Sequence, residues 1–411
     1  MSRSNALLLF FCLVAIPPAF SAEPVGATRN IVIVPSAPDE DDIDPDTGLA
    51  RSTVVKPLRE FAPGRPAPAP APAPGAISTD ARPHIALILP TLSPALASVA
   101  EAMRLGFNAA VEAAGKDALP VTFMPIDNDG QALLDACKDA QRRGAMLVVG
   151  GITRDGATAL ARSDCPRQPV LALNEPQGFA TRGGELGPGD LPANLFHVSL
   201  SLEHEARQIA LQAVNDGWHS AIVITSPSPL ARRVQEAFER EWIRAAGELR
   251  RVSYSGNPDD VGSIRDRIAN TRGDMVFLAL DVPEARAVRP YVTGALPVYA
   301  TSMSVDPRGD PAVNVDLQGV RYLDMPWFVQ PDHPAVMVYP VPKGTLSVEQ
   351  ERLYALGVDA YRLAFLLLKS EPTQLDGVTG RITLGPGNAF VRTLTLSEVD
   401  GGRVVPAKPP Q

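Results

Sequence analysis

The chain has 411 residues, of which 45% are hydrophobic and 20% are charged, and its formal net charge is −8. This length is sufficient for two or three domains with full hydrophobic cores. The acidic balance argues against nucleic acid or an anionic membrane surface as a partner.

The first 22 residues have the pattern of a signal peptide. Arg3 provides a basic start, an apolar run covers residues 6–16, and small residues follow at Ala19 and Ser21. A membrane span is the alternative, but a span needs roughly 20 apolar residues and this run is shorter. Cys12 lies inside the run rather than at its end, where a lipid anchor would need it. We therefore expect a soluble protein exported to the periplasm, with association to the cell envelope left open and no transmembrane span in the mature chain.

Residues 23–83 differ in character from the rest of the chain. An acidic run occupies residues 39–46, and a proline–alanine repeat occupies residues 66–74. Such a segment buries too little apolar surface to offset the entropy lost when it is ordered. We expect a disordered tether. The alternative is a docking arm in which residues 31–34 add a strand to a partner.

The next stretch predicts a β-α-β unit. An apolar strand at residues 85–89 is followed by a turn, a helix at 95–114 and a second strand at 121–126. Ser93 can cap this helix, with Pro94 at its first position. The two strands are then parallel neighbours.

The same alternation of strands and helices continues to about residue 300. Further predicted segments of the first lobe are helices at 131–143 and 153–162, and strands at 146–149, 170–173 and 195–198. Those of the second lobe are helices at 202–214, 230–246, 260–270 and 283–289, and strands at 221–225, 249–254, 275–280 and 297–300. This pattern is typical of parallel sheets with helices on both faces.

We therefore predict an α/β fold of two doubly wound parallel-sheet lobes with a cleft between them. A helix at 347–368 is assigned to the first lobe, and a hairpin at 377–384 and 390–396 to the second, so the chain crosses between lobes three times. The predicted organisation is a signal peptide at 1–22, a disordered tether at 23–83, a first lobe at 84–200 and 326–376, and a second lobe at 201–325 and 377–406.

Cys137 and Cys165 are the two cysteines that remain after the signal peptide. In an oxidising compartment they are a disulfide candidate, and a buried thiol at Cys137 is the alternative. Trp327 and Phe328 are expected to pack at the hinge, with cleft lining as the alternative. Two arginine pairs, at residues 232–233 and 250–251, predict solvated helix ends or a basic patch for an acidic partner.

The sequence contains no recognisable catalytic motif. The five histidines include no short-spaced metal pair, and the glycine pairs lack the spacings that bind dinucleotides or phosphates. No Gly-x-Ser-x-Gly elbow occurs. We therefore expect no catalysis, no metal and no cofactor.

Several motifs together resemble a known family. They are IALILPTLSPALASVAEAMRLGFNAA, VVGGITRDGATALA, PVLALN, QGVRYLDMPW, LYALGVDAYRLA and LDGVTGRITL. They resemble the C-terminal domain of the penicillin-binding protein activators, which are outer-membrane lipoproteins. The resemblance covers about residues 83–406 and implies a type I periplasmic binding protein fold. It also implies a regulator that activates peptidoglycan synthesis by contact with a penicillin-binding protein.

A receptor that binds solutes for an ABC importer of the branched-chain amino-acid or amide type is the alternative. In such relatives a helix start after the third strand holds the ligand carboxylate, and an acidic group in the second lobe holds the ammonium. Here Thr153 keeps one hydroxyl at that helix start, and Asp281 is not in clear register, so a free amino acid is not the expected ligand. Any small-molecule ligand is unknown. The residues expected to line the cleft are Thr91, Leu92, Thr153, Arg154, Asn174, Ser226, Asp281, Ser302 and Met303.

Overall fold

The computed structural model describes residues 83–179, 181–182, 185–186, 191–245, 247–292, 296–342, 346–369 and 374–407. The predicted signal peptide, with Cys12, and the predicted tether up to residue 82 lie outside the described residues.

The secondary structure alternates between strands and helices, as the sequence predicts. The strands are β1 His84–Leu89, β2 Val121–Pro125, β3 Ala145–Gly150, β4 Val170–Ala172, β5 Thr181–Arg182, β6 Glu185–Leu186, β7 Leu195–Val198, β8 Ser220–Thr225, β9 Glu248–Ser253, β10 Met275–Ala279, β11 Val298–Ala300, β12 Val320–Asp324, β13 Gln374–Gly377, β14 Gly380–Leu384, β15 Ala389–Thr393, β16 Thr395–Asp400 and β17 Arg403–Pro406. The α-helices are α1 Ala97–Ala114, α2 Gln131–Arg142, α3 Arg154–Ala161, α4 Leu202–Asn215, α5 Pro229–Arg244, α6 Val261–Ala269, α7 Val282–Val288, α8 Pro311–Asn314, α9 Pro326–Val329, α10 Pro334–Met337 and α11 Val348–Lys369.

Two large sheets define the two lobes. The sheet of the first lobe has the order β13-β14-β15-β7-β4-β3-β1-β2, and that of the second has the order β17-β16-β12-β11-β10-β8-β9. Strands within each sheet are parallel except for β13, β14, β16 and β17, which pair antiparallel at one edge. The predicted two-lobed α/β architecture is therefore confirmed.

The central strands of each sheet, such as β1 and β10, are buried on both faces, which explains why they read as continuous apolar runs. In β1, Ile85 and Leu87 point into the core under α1 and α11, while Ala86 and Ile88 point into the opposite core under α2 and α3. The second lobe repeats this arrangement, because alternate residues of β8 enter separate cores.

The terminal hairpin belongs to the first lobe, which corrects its assignment to the second. β15 runs parallel to β7, with Ala389 opposite His197. The buried Asp359 of α11 holds the turn between β13 and β14, since its carboxylate accepts hydrogen bonds from the Thr379 N–H and hydroxyl at 2.8 and 2.7 Å. The sequence shows a hairpin but not the buried carboxylate that fixes its position. The last crossing therefore lies at Leu394 rather than at residue 377.

Helices α1 and α11 approach each other very closely. A Cβ added to Gly106 would lie 1.8 Å from the Tyr354 carbonyl oxygen, and one added to Gly357 would lie 2.1 Å from the Met103 carbonyl oxygen. Because only glycine permits this contact, the two residues fix α11 on the first lobe.

The start of helix α1 and its capping differ from the prediction, and the predicted disulfide is present. Helix α1 begins at Ala97 rather than residue 95, its N-cap position is Leu96, and no side chain caps it, so Ser93 does not have the predicted role. Cys137 and Cys165 are joined by a disulfide, with their Cα atoms 6.2 Å apart.

None of the helices in the described part of the chain combines the length and the hydropathy that a membrane-spanning helix requires.

Candidate functional site

A small cavity lies between the two lobes, and we call it the cleft cavity. It has a volume of about 160 Å³ and is lined by Arg154 and Asn174 of the first lobe and by Glu203 and Arg233 of the second, together with apolar side chains. The first-lobe residues follow β3 and β4, at the carboxyl edge of the sheet where such folds bind ligands.

Charged side chains of the two lobes pair with each other at the wall of this cavity. Arg154 Nη2 donates to Glu203 Oε1 at 2.8 Å, and Arg233 Nε lies 3.3 Å from the same oxygen. Ser201 Oγ donates to the other carboxylate oxygen at 3.1 Å. Burial alone would raise the pKa of Glu203, but the hydrogen bond from Arg154, a backbone hydrogen bond and the charges of the two arginines together outweigh burial and lower that pKa. The cleft is therefore bridged by an ion pair where a receptor would hold its solute.

The groups at the start of α3 are also occupied. Thr153 donates to Asp129 Oδ2 through its N–H at 2.7 Å and its hydroxyl at 2.8 Å. The same hydroxyl accepts from the Gly156 N–H at 2.9 Å and so caps the helix. Helix starts favour anions. Here the anion is Asp129, whose pKa is raised by burial, and not a bound carboxylate.

Asn174 uses its amide within the first lobe. Its Nδ2 donates to the Ile152 carbonyl at 2.9 Å, and its Oδ1 accepts from the Glu175 N–H at 2.9 Å. These two bonds tie the loop after β4 to the loop after β3 and leave little of the amide for a ligand.

A second set of ion pairs joins the lobes through α11. Glu351 of α11 accepts from Arg308 of the second lobe at 2.9 Å. The next residue, Arg352, makes a bidentate pair with Asp324 at the end of β12, with distances of 2.5 and 2.9 Å. The Asp324 side chain is only 1% exposed. Its charge outweighs the effect of burial and raises the pKa of Arg352.

Aromatic and polar groups complete this second set. Phe328 lies under both arginines, with the guanidinium carbons of Arg308 and Arg352 at 5.1 and 4.8 Å from its ring centre. Trp327 donates from Nε1 to Glu351 at 3.2 Å. Both aromatic residues are buried and pack at the crossing between the lobes, as the sequence favours.

Glu205 is a third buried acid at this interface. It accepts from the Ser302 N–H at 3.0 Å. Burial raises the pKa of Glu205, while the nearby Arg352 opposes that effect.

The structure brings together some of the predicted cleft residues but not others. Arg154 and Asn174 line the cleft cavity, and Thr153 lies beside them. Ser302 is buried against Glu205, and Met303 packs on a core of the second lobe. Of the nine predicted residues only Arg154 and Asn174 line this cavity, and the other four also lie elsewhere: Thr91 and Leu92 follow β1, Ser226 lines a different cavity, and Asp281 is an exposed cap of α7.

A second cavity of about 130 Å³ lies next to the first crossing, and we call it the crossover cavity. It is lined by Glu175, His197, His204, Arg207 and apolar residues of β15. Burial holds the pKa of both histidines at about 4, so both are neutral at pH 7. Burial also raises the pKa of Glu175, and Arg207 opposes this. Neither histidine Nε2 has a hydrogen-bond partner among the described residues.

Sequence reasoning missed most of the acidic partners. Glu203, Asp324 and Glu351 each stand in a stretch that reads as an ordinary helix or strand. Each of these acids lies at a strand end or near a helix start beside a crossing between the lobes. This position would have indicated a role at the cleft, but it can be recognised only once the crossings are known. No group of three or more His, Cys, Asp or Glu side chains suited to a metal occurs in the part of the chain that the structure describes.

A protein-family model and several curated proteins match this chain. The family model described as "LppC putative lipoprotein" matches residues 76–402. The penicillin-binding protein activator LpoA of Shigella flexneri is 26% identical over 329 residues, covering 68% of this chain and 47% of the relative. The chain thus spans about half the length of the curated relatives it matches.

Solved structures share the two-lobed fold. A "putative branched-chain amino acid ABC transporter" from Chromobacterium violaceum is 35% identical, with a TM-score of 0.64, covering 77% of this chain and all of its own. The LpoA (YraM) C-domain from Haemophilus influenzae is 23% identical, with a TM-score of 0.63, covering 79% of this chain and all of its own. Both similarities support the type I periplasmic binding protein-like architecture.

Proposed function

The chain belongs to the LppC family, and on that basis we propose that it is a periplasmic, non-catalytic regulator that activates a penicillin-binding protein by direct contact. The family membership confirms the resemblance drawn from the sequence motifs. Curated relatives that match the chain are named as penicillin-binding protein activators.

The observation that carries this proposal is the ion pairing across the cleft. Glu203 of the second lobe pairs with Arg154 of the first and with Arg233 at the cleft cavity, and Asp129 takes the anion position at the start of α3. A solute entering this site would have to break a partly buried ion pair and compete with a carboxylate that is already hydrogen-bonded. Because the two arginines are partly exposed, at 31% and 50%, separating the pair costs less than the 3–5 kcal/mol or so of a fully buried pair, but the carboxylate of Glu203 would lose both counter-charges. We infer that the fold has been retained for contact with a protein rather than for capture of a solute.

Solute binding for an ABC importer is the second candidate. The Chromobacterium violaceum structure favours it, because that protein is more similar in sequence to this chain than the curated activators are. A receptor must open its cleft, so it requires the ion pairs around Glu203 and Arg352 to separate when the solute is absent.

Contact with a penicillin-binding protein can be measured directly. A purified bifunctional penicillin-binding protein in detergent is immobilised, and binding of the full chain is followed together with the fraction of cross-linked peptides formed from lipid-linked substrate. The proposal predicts saturable retention and a rise in cross-linking. A solute receptor of the same fold serves as the control and should do neither.

One outcome of the same experiment would contradict the proposal. If the chain is not retained by bifunctional penicillin-binding proteins from its own host and leaves their cross-linking unchanged, contact activation is wrong. A solute that stabilises the chain would then support the receptor.

A further inference from the structure

The crossover cavity differs from the cleft cavity because it is lined by polar groups that the protein does not pair with each other. It lies beside the end of β7 and the adjoining strand β15, next to the first crossing between the lobes. Its other walls are the loop after β4, which supplies Glu175, and the first half of α4, which supplies Arg207. Pro386 lines the cavity and is itself exposed, so the cavity can be reached from the surface.

Glu175 supplies a carboxylate that has no direct partner. The residue is half-buried, and its side chain makes no hydrogen bond and no ion pair with the described residues. Burial raises the pKa of Glu175, and the positive charge of Arg207 opposes this, so these two charges lie near each other. Arg154 and Glu203 also act on Glu175, but they are paired with each other at 2.8 Å. The carboxylate of Glu175 is therefore an available acceptor.

Arg207 supplies donors to the same cavity. Its Nη2 lies 3.3 Å from His204 Nδ1, and it forms no ion pair with any residue in the described part of the chain. A guanidinium carries several N–H donors, so most of those of Arg207 remain available. The other arginine of the cavity is already used, because Arg392 donates to the Ser199 and Thr379 carbonyls at 2.9 Å.

The charges around the cavity favour a neutral ligand. A cation at Glu175 would be repelled by Arg207, and an anion at Arg207 would be repelled by Glu175. Burial holds the pKa of His197 and His204 at about 4, so the two imidazoles add no charge at pH 7. A neutral amide suits both charged groups, because its N–H can donate to the carboxylate while its carbonyl accepts from the guanidinium.

The apolar wall and the volume restrict the ligand further. Ala389, Phe390 and Val391 of β15 line the cavity, and its volume is about 130 Å³. A cavity of about 150 Å³ admits a molecule the size of benzene, so this cavity admits a group of a few heavy atoms. An acetamido group has this size, and it carries a methyl group next to its amide.

We propose that the crossover cavity binds the acetamido group of an N-acetylated amino sugar. Glu175 accepts from the amide N–H, Arg207 donates to the carbonyl, and the methyl group packs on β15, while the sugar ring lies at the mouth beside Pro386. Peptidoglycan strands are built from such sugars, so this assignment rests on the proposed function and adds a glycan to the protein partner. The site is separate from the cleft cavity.

Saturation-transfer NMR on the full chain tests this with N-acetylglucosamine, and with glucosamine, glucose and glycine as comparison compounds. We expect N-acetylglucosamine to bind with a Kd on the order of millimolar, as its size allows, and to show its strongest saturation at the acetyl methyl. Glucosamine and glucose lack the acetamido group, and glycine carries separate charges, so none of the three should bind as tightly. Tighter binding of N,N′-diacetylchitobiose would assign the site to a glycan strand, and equal binding would assign it to a single amino sugar.

Variants locate the binding. Glu175→Ala and Arg207→Ala should each weaken N-acetylglucosamine by roughly tenfold, which is about 1.4 kcal/mol. The matched controls are Glu236→Ala and Arg240→Ala, which remove the same charges from a pair on α5 whose side chains are 62% and 61% exposed. Both controls should bind like the parent chain.

The proposal is wrong if N-acetylglucosamine does not bind, if glucose or glycine binds as tightly, or if the acetyl methyl is saturated no more than the ring protons. Equal weakening by the cavity variants and the controls would also overturn it. The melting temperature without ligand shows whether each variant has folded. Glu175→Ala removes no hydrogen bond to the described residues, so it keeps the test valid if Arg207→Ala does not fold.

This measurement needs no penicillin-binding protein. Failure to bind the amino sugar would therefore overturn the glycan site and leave contact activation standing. Conversely, binding of the sugar by a chain that no penicillin-binding protein retains would overturn contact activation alone.

Discussion

Removal of the Arg352 charge is the sharpest perturbation of the contact between the lobes. In Arg352→Met the long side chain remains, but the bidentate pair with Asp324 is lost. Asp324 would keep a hydrogen bond from the Met325 N–H at 2.8 Å, yet its carboxylate would stay buried at 1% exposure without the cation that pairs with it directly.

The expected loss follows from that burial. Removing one partner of a buried ion pair costs about 3–5 kcal/mol, and loss of the guanidinium over Phe328 adds about 0.5–2 kcal/mol. The double variant Asp324→Asn/Arg352→Met leaves no unpaired charge, so it should lose less than the single variant. The coupling between the two changes should amount to about 1–3 kcal/mol.

Urea unfolding followed by tryptophan fluorescence measures these differences. Trp327 lies at the crossing, with its ring centre 5.3 Å from that of Tyr354, so it should report separation of the lobes. The matched control is Arg142→Met, because Arg142 pairs with Asp139 on an exposed face and is itself 74% exposed. Such a pair contributes about 0–1 kcal/mol. Our reasoning fails if Arg352→Met loses no more than this control, or if the double variant loses as much as the single one.

Three further predictions concern stability. Burial holds the pKa of His197 at about 4, whereas the unfolded chain takes up that proton near pH 6.5, so stability falls on acidification by about 3 kcal/mol between pH 7 and 4. His197→Leu should reduce that fall in urea titrations at the two pH values, and an equal fall would contradict it. The disulfide Cys137–Cys165 closes a loop with a sequence separation of 28, so replacing both cysteines by alanine should cost about 3–4 kcal/mol. A reducing agent should then lower the melting temperature of the parent chain but not of the variant. Gly357→Ala would force a Cβ to 2.1 Å from a backbone oxygen and should cost about 1–3 kcal/mol or more by calorimetry. Gly262→Ala, with nothing within 4 Å of its added Cβ, should instead be neutral or stabilising by up to about 1 kcal/mol.

The fold could be predicted largely from sequence because its signals are local. The strands and helices of both lobes follow from apolar runs, helical spacing and turn residues that lie next to each other in the chain. The placement of the terminal hairpin could not be predicted this way. It depends on Asp359, a helical carboxylate that binds the Thr379 turn about 20 residues later, and on the free edge of β7, which is known only when the sheet order is known.

The candidate site was predictable only in part, for a similar reason. Thr153, Arg154 and Asn174 could be placed at the cleft because they follow parallel strands of one sheet. Their partners could not, since Glu203 lies on the other lobe and meets Arg154 only after the chain has crossed. The sequence suggested that the chemistry for amino-acid binding had been lost, but it did not show that the protein's own ion pairs bridge the cleft.

The central claim is that the cleft between the lobes is bridged by the protein's own ion pairs and does not bind an amino acid. The most direct measurement is the melting temperature of the full chain in the presence of each common amino acid and its amide. A ligand that binds the native state at a hundred times its Kd stabilises it by about 2.7 kcal/mol, which such a scan would detect. We predict no increase with any of these compounds. A clear increase with one of them that disappears in Asn174→Ala would contradict the claim and identify the protein as a solute receptor.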